Sequence, residues 1–176
     1  MKVRKTRAQR RAPKAAGVTL ALALALGAGG AARAQQPQPE LPSVKLTAGV
    51  HLITAEVAAT DPARTMGLMF RRKLAPNHGM LFVFDRSQMS GAPCMWMRNT
   101  LLPLSVAFIG DGGRIVNIED MDPGSEQIHC AESVVPYALE MSRGWFRERG
   151  LRPGQTVIGG LPGPSKPGPP GQGGAR

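Results

Sequence analysis

The chain is poor in the residue types that carry most recognisable chemistry. It has three histidines, two cysteines and 5% aromatic residues in 176 positions. His51, His78 and His129 are scattered, with no H-x-H or H-E-x-x-H spacing, so no zinc-hydrolase motif is present. No G-x-S-x-G elbow and no phosphate-binding loop occur. Asp120-x-Asp122-x-Gly124 faintly resembles a calcium loop. Pro123 and the non-acidic Ala131 at the twelfth position spoil it, so a solvated acidic turn is expected there. There is no internal repeat. No apolar run reaches the roughly 20 residues that a bilayer span wants.

The first 34 residues lack acids altogether and hold eight of the 22 Lys and Arg residues. A basic start (MKVRKTRAQRRAPK), an apolar stretch (Val18 to Ala32) and Ala32-Arg33-Ala34 form the pattern of an export signal cleaved before Gln35. The expected location is therefore periplasmic or secreted, with membrane attachment only if the signal is kept. The formal charge of +10 shrinks to 14 basic against 12 acidic residues beyond position 34. No basic stripe interleaved with aromatics remains, which argues against nucleic-acid binding. Residues 35–42 read as a short linker. Residues 161–176 are mostly Pro and Gly and read as a disordered tail. Between them, residues 43–160 have the length of one domain.

Within that domain, β-branched and aromatic runs separated by turn residues predict a mainly-β barrel or sandwich with one or two short helices. Ala48-Gly49 divides two strands or one bent one. SVAFI and RIVNI flank Gly110-Asp-Gly-Gly113 and predict a hairpin. MLFVF, PYALEM and QTVIG predict further strands. DPARTMGLMFRRKL predicts a helix capped by Asp61, with Pro62 in its first turn. Met66, Met69 and Phe70 then share one face. Arg71, Arg72 and Lys73 fall at its positive-favouring end. RGWFRER predicts a second short helix ended by Gly150.

The densest stretch is PCMWMRNTLLPL, Pro93 to Leu104. Two cysteines in an exported chain, without C-x-x-C spacing, point to a structural Cys94–Cys130 disulfide. Two buried thiols or a metal-bound pair are the alternatives. If the stretch is extended, Cys94, Trp96 and Arg98 share one face and Met95, Met97 and Asn99 the other. The patch then reads as a core strand pinned by the disulfide, with Trp96 and Arg98 to Thr100 at the rim of a cleft. Soft thioether ligands raise a second possibility, copper held by Met95, Met97 and His78. Met is also an ordinary core filler. No cofactor is called for.

Three stretches taken together, RTMGLMFRRKLAPNHGMLFVF, CMWMRNTLLPLSVAFIGDGGRIVNIEDMDP and VPYALEMSRGWFRERGLRPGQTV, resemble the domain-of-unknown-function 192 family. The resemblance implies a compact, mainly-β fold, often behind an export signal, and no established activity. Its motif residues here are Gly67, Leu68, Met69, Arg71, Gly79, Met80, Trp96, Met97, Asn99, Thr100, Pro103, Glu140 and Gly144. Ser142 stands where the family often has Asn. Most of these serve packing or backbone turns. Glu140 is harder to place, because its strand is otherwise apolar. A solvent-facing position is the simplest expectation for it, with Asn99 and Thr100 capping a turn. The functional expectation is a non-catalytic binding module for a polar small molecule or glycan, using Trp96, Arg98, Asn99, Thr100 and Glu140. An envelope enzyme with Glu140 as acid/base is the alternative, although one carboxylate is not a glycosidase pair.

Overall fold

A computed structural model describes residues 35–163. The export signal and residues 164–176 of the expected tail lie outside the described residues. The strands are β1 (Ser43–Ala48), β2 (His51–Ala58), β3 (His78–Val83), β4 (Cys94–Met95), β5 (Leu104–Ile109), β6 (Ile115–Met121), β7 (His129–Cys130), β8 (Tyr137–Ser142) and β9 (Ile158–Gly159). Two short helices, α1 (Asp61–Met66) and α2 (Trp145–Glu148), complete the mainly-β fold, with a 3-10 turn at Arg86–Gln88.

Seven strands form one sheet in the order β6-β5-β8-β3-β2-β1-β9. Among the described strands only the β2–β3 pairing is parallel, because α1 carries the chain across between them. The expected hairpins form: β1 pairs with β2 around Gly49, which has a φ of 59°, and β5 pairs with β6. The sheet curls until its two edge strands meet. Ile158 N–H donates to the Gly113 carbonyl at 2.7 Å, and Ile115 N–H donates to that of Thr156 at 3.0 Å. Gly113 permits this contact: at a φ of 77°, an added Cβ would collide with the Ile158 carbonyl.

The curled sheet is covered on both faces. Leu46, Ile53, Leu81, Ile109 and Leu139 pack with Trp145 and Phe146 of α2 on one side. Met80, Phe82, Val106 and Phe108 pack with Leu68 and Met97 on the other. The central strands β3, β5 and β8 are therefore buried in both directions. Residues inside the expected linker and the start of the expected tail make contacts with the domain. Gln38 donates to the carbonyls of Ala63 and Gly67, and Leu161 packs on the core. The Tyr137 hydroxyl donates to the Pro162 carbonyl.

The long helix expected from Asp61 to Leu74 is corrected to six residues. Gly67, at a φ of 47°, terminates α1 by donating its N–H to the Ala63 carbonyl. Phe70 has a φ of 62°, and its N–H is taken by the Asn99 carbonyl at 2.9 Å. Met69 and Phe70 thus leave the helical stripe, and the three cations sit in a loop. The cap also differs. Thr60 is extended and its side chain accepts from Ala63 N–H, while Asp61 is the first helical residue. Thr60→Ala is expected to lower stability by about 1 kcal/mol and Asp61→Ala by less than about half of that. Urea denaturation midpoints of the two variants check this order.

Candidate functional site

Glu140 sits in the middle of β8, paired with Met80 of β3 and Val106 of β5. Its side chain is on the face opposite Leu139 and Met141, as alternation requires, but that face is not solvent. Glu140 is only 4% exposed. The simple expectation of a solvent-facing carboxylate is overturned because a second apolar layer covers this side of the sheet. No described group hydrogen-bonds to the carboxyl. Burial disfavours its charged form and pushes its pKa from 4.5 up to about 8. At neutral pH the group is a neutral acid, able to donate one hydrogen bond and accept others.

The carboxyl lines a small cavity of about 30 Å3. That is the room one water molecule or one small polar group takes up. Thr100 lines the same cavity, and its hydroxyl, on a residue 5% exposed, also has no described partner. Gly67, Met66 and Met69 come from the end of α1 and the turn beyond it, and Met95 and Trp96 come from β4 and its continuation. Gly79 keeps the two central strands close. A Cβ there would run into the Glu140 carbonyl and the Met141 sulfur.

The stretch from Cys94 to Thr100 is built by a two-stranded ribbon, not by the main sheet. β4 pairs with β7, Cys94 directly opposite Cys130 and Met95 opposite His129. The expected disulfide joins the two cysteines. Exposure alternates as an extended stretch demands: Cys94, Trp96 and Arg98 face outward and Met97 is fully buried. The reading of a core strand is corrected at this point, because only Cys94 and Met95 are in the ladder. The chain then turns at Asn99, whose φ is 59°. The Arg98 guanidinium lies over the Trp96 ring, 5.6 Å from its centre.

Of the five expected binding residues, Trp96, Thr100 and Glu140 meet at the cavity. Arg98 is held beside it through Trp96. Asn99 serves the backbone: its carbonyl holds the Phe70 turn, and its amide points to the Met69 sulfur at 4.0 Å. The three residues read as a copper set are not brought together. Met97 belongs to the core with Leu68 and Phe82. His78 is exposed, lines a different cavity and contacts the Pro76 carbonyl through Nδ1. Met66 and Met69, read from the sequence as one face of a helix, are instead lining residues. Met69 lies in the Gly67-Leu68-Met69 motif and Met66 directly precedes it. Asp120 and Asp122 are engaged elsewhere, by Arg147 at 2.8 Å and Arg143 at 2.7 Å. Glu140 is the one acid among the described residues lining this cavity.

The model of the domain-of-unknown-function 192 family, described as an uncharacterized ACR, matches residues 44–159. The chain belongs to this family. Two solved structures are similar to it in fold and sequence. One is a protein of Sinorhizobium meliloti 1021 whose name proposes it as a transcription regulator. It is 35% identical, with a TM-score of 0.64, and the match covers 70% of this chain and 97% of that one. The other is a protein of unknown function from Novosphingobium aromaticivorans DSM 12444. It is 32% identical, with a TM-score of 0.63, over 73% of this chain and 93% of that one. No curated protein matches the chain. The family match spans α1, the disulfide ribbon and β8, so every segment that builds the Glu140 cavity lies within it.

Proposed function

We propose that this chain is an exported, non-catalytic binding domain of the cell envelope. It takes one polar group of a glycan or another small molecule into the Glu140 cavity. The supporting observation is the buried Glu140, whose carboxyl has no hydrogen-bond partner among the described residues, lining with Thr100 a space sized for one such group. Leaving a carboxyl without hydrogen bonds in a protein interior is costly, and a ligand group that supplies them recovers that cost. A hydroxyl can satisfy the neutral acid directly. An ammonium group would draw the proton off Glu140 and pair with the carboxylate. The cavity is too small for a sugar ring, so the ring of a bound glycan stays outside, against the exposed Trp96. Catalysis by a carboxylate pair has no support here, because no second acid among the described residues lines the cavity.

A second reading rests on Met66, Met69 and Met95, three thioethers lining the same ion-sized space. Thioethers are soft ligands that select Cu(I). One experiment addresses both readings. The methionine methyl signals are followed by NMR while glucosamine, and separately Cu(I) buffered by a chelator, is added. The polar-group reading expects glucosamine to shift Met69 and Met95, with binding weakened roughly tenfold in Glu140→Gln. Tight Cu(I) binding that shifts Met66, Met69 and Met95, without glucosamine binding, would replace it with the copper reading. Shifts from neither probe reject both.

A further inference from the structure

Arg71, Arg72 and Lys73 have no helix end to serve, since α1 stops at Met66. Their loop has two sides. Gly67 to Met69 line the Glu140 cavity, and Phe70 to Pro76 line a second, much larger one of about 720 Å3. That volume lies within the range of sites for small organic ligands. Phe70, Leu74 and Pro76 give it an apolar wall. The backbone of Phe70 is in the left-handed region, a costly choice for an aromatic residue, and the Asn99 carbonyl holds it there.

The charges on this cavity are arranged, not scattered. Arg71 is fixed by the Glu56 carboxylate at 2.8 Å, and Glu56 also accepts the Leu41 N–H at 2.8 Å. The Arg71 Nε is buried and has no hydrogen-bond partner among the described residues. Arg72 and Lys73 are exposed and form no ion pair among the described residues. Glu56 is already committed to Arg71, so of the lining acids Glu40 alone stands against the two cations Arg72 and Lys73, a net of one positive charge. The free charge available to a ligand is therefore positive, next to an apolar wall.

We infer that this cavity binds an amphiphilic anion. A carboxylate or phosphate head meets Arg72 and Lys73, with Arg71 behind them, and an apolar chain or ring lies along Phe70, Leu74 and Pro76. Guanidinium and ammonium groups form charge-assisted hydrogen bonds with such heads. The apolar body supplies the burial that a bare anion lacks. This site is separate from the Glu140 cavity and stands or falls independently of it.

The test is calorimetric titration of the full chain with dodecyl phosphate below its micelle concentration. Saturable binding is expected, weakened roughly tenfold or more in the Arg72→Ala/Lys73→Ala double variant. Both residues are exposed, so the variant is expected to fold normally. Arg152→Ala, in a different cavity, is expected to bind as the unaltered chain does. Inorganic phosphate alone is expected to bind at least roughly tenfold more weakly, because it leaves the apolar wall uncovered. Equal binding by the double variant overturns the proposal, as does equal binding of uncharged dodecyl maltoside. Binding to phosphatidylglycerol vesicles that depends on Arg72 and Lys73, without binding of the soluble amphiphile, also overturns it in favour of a membrane-surface contact.

Discussion

Glu140→Gln is expected to make the protein more stable than the unaltered chain at pH 8.5 and nearly equal to it at pH 4.5. Burial raises the folded-state pKa of Glu140 from 4.5 to about 8. Between those values the folded chain holds a proton that the unfolded chain has released. Unfolding then releases a proton, so stability falls as pH rises through this window. The acid is fully compatible with its surroundings below about pH 4.5 and least so above about 8. Each tenfold change in proton affinity is worth roughly 1.4 kcal/mol, so the cumulative loss is on the order of several kcal/mol. That is a large share of the 5–15 kcal/mol typical of a whole domain. Glutamine has nearly the same shape and does not titrate, so the slope due to Glu140 disappears. Urea denaturation of both proteins at pH 4.5, 6, 7 and 8.5 measures it, and titrations common to both cancel in the difference. Parallel curves would mean that the carboxyl is not held neutral by burial.

Removing the disulfide is the second large effect. Cys94 and Cys130 are 36 residues apart. In the loop-entropy description, a closure of this length stabilises by roughly 3–4 kcal/mol. The local consequence adds to the global one. β4 and β7 have two residues each, and so short a ribbon is not stable alone in water. Without the bond, Met95 and Trp96 lose the support that holds them over the Glu140 cavity. The Cys94→Ser/Cys130→Ser variant is therefore expected to lose about 3–4 kcal/mol and to show altered signals for Met95. The same denaturation series, run with and without reductant on the unaltered chain, provides the internal comparison. A loss below about 1 kcal/mol would show that the ribbon is held by packing alone.

Much of the fold could be read from local pattern. The β5–β6 hairpin follows from two β-branched and aromatic runs around Gly110-Asp-Gly-Gly113, and the β1–β2 hairpin from the break at Gly49. These features depend on side-chain period and turn chemistry within a few residues, which a sequence displays directly. The cysteine pairing was legible for a similar reason, since two cysteines allow one intramolecular bond. The site was legible in part. Trp96, Thr100 and Glu140 were among the binding candidates read from the sequence, and all three line one cavity.

What local pattern could not supply was decided by contacts distant in the chain. Alternation placed Glu140 opposite Leu139 and Met141, but whether that face is wet depends on Leu68 and Met97 folding over it from other segments. The helix from Asp61 had acceptable propensity well beyond Met66. It ends early because Gly67 adopts a positive φ and the Asn99 carbonyl, 29 residues further on, captures the Phe70 N–H. That one rearrangement turns Met66 and Met69 from a helical stripe into cavity lining, and releases Arg71 to Lys73 onto a second cavity. Residue identity and spacing are enough to choose strands, turns and a disulfide. Burial, and with it the protonation of Glu140, is a property of which distant surfaces meet.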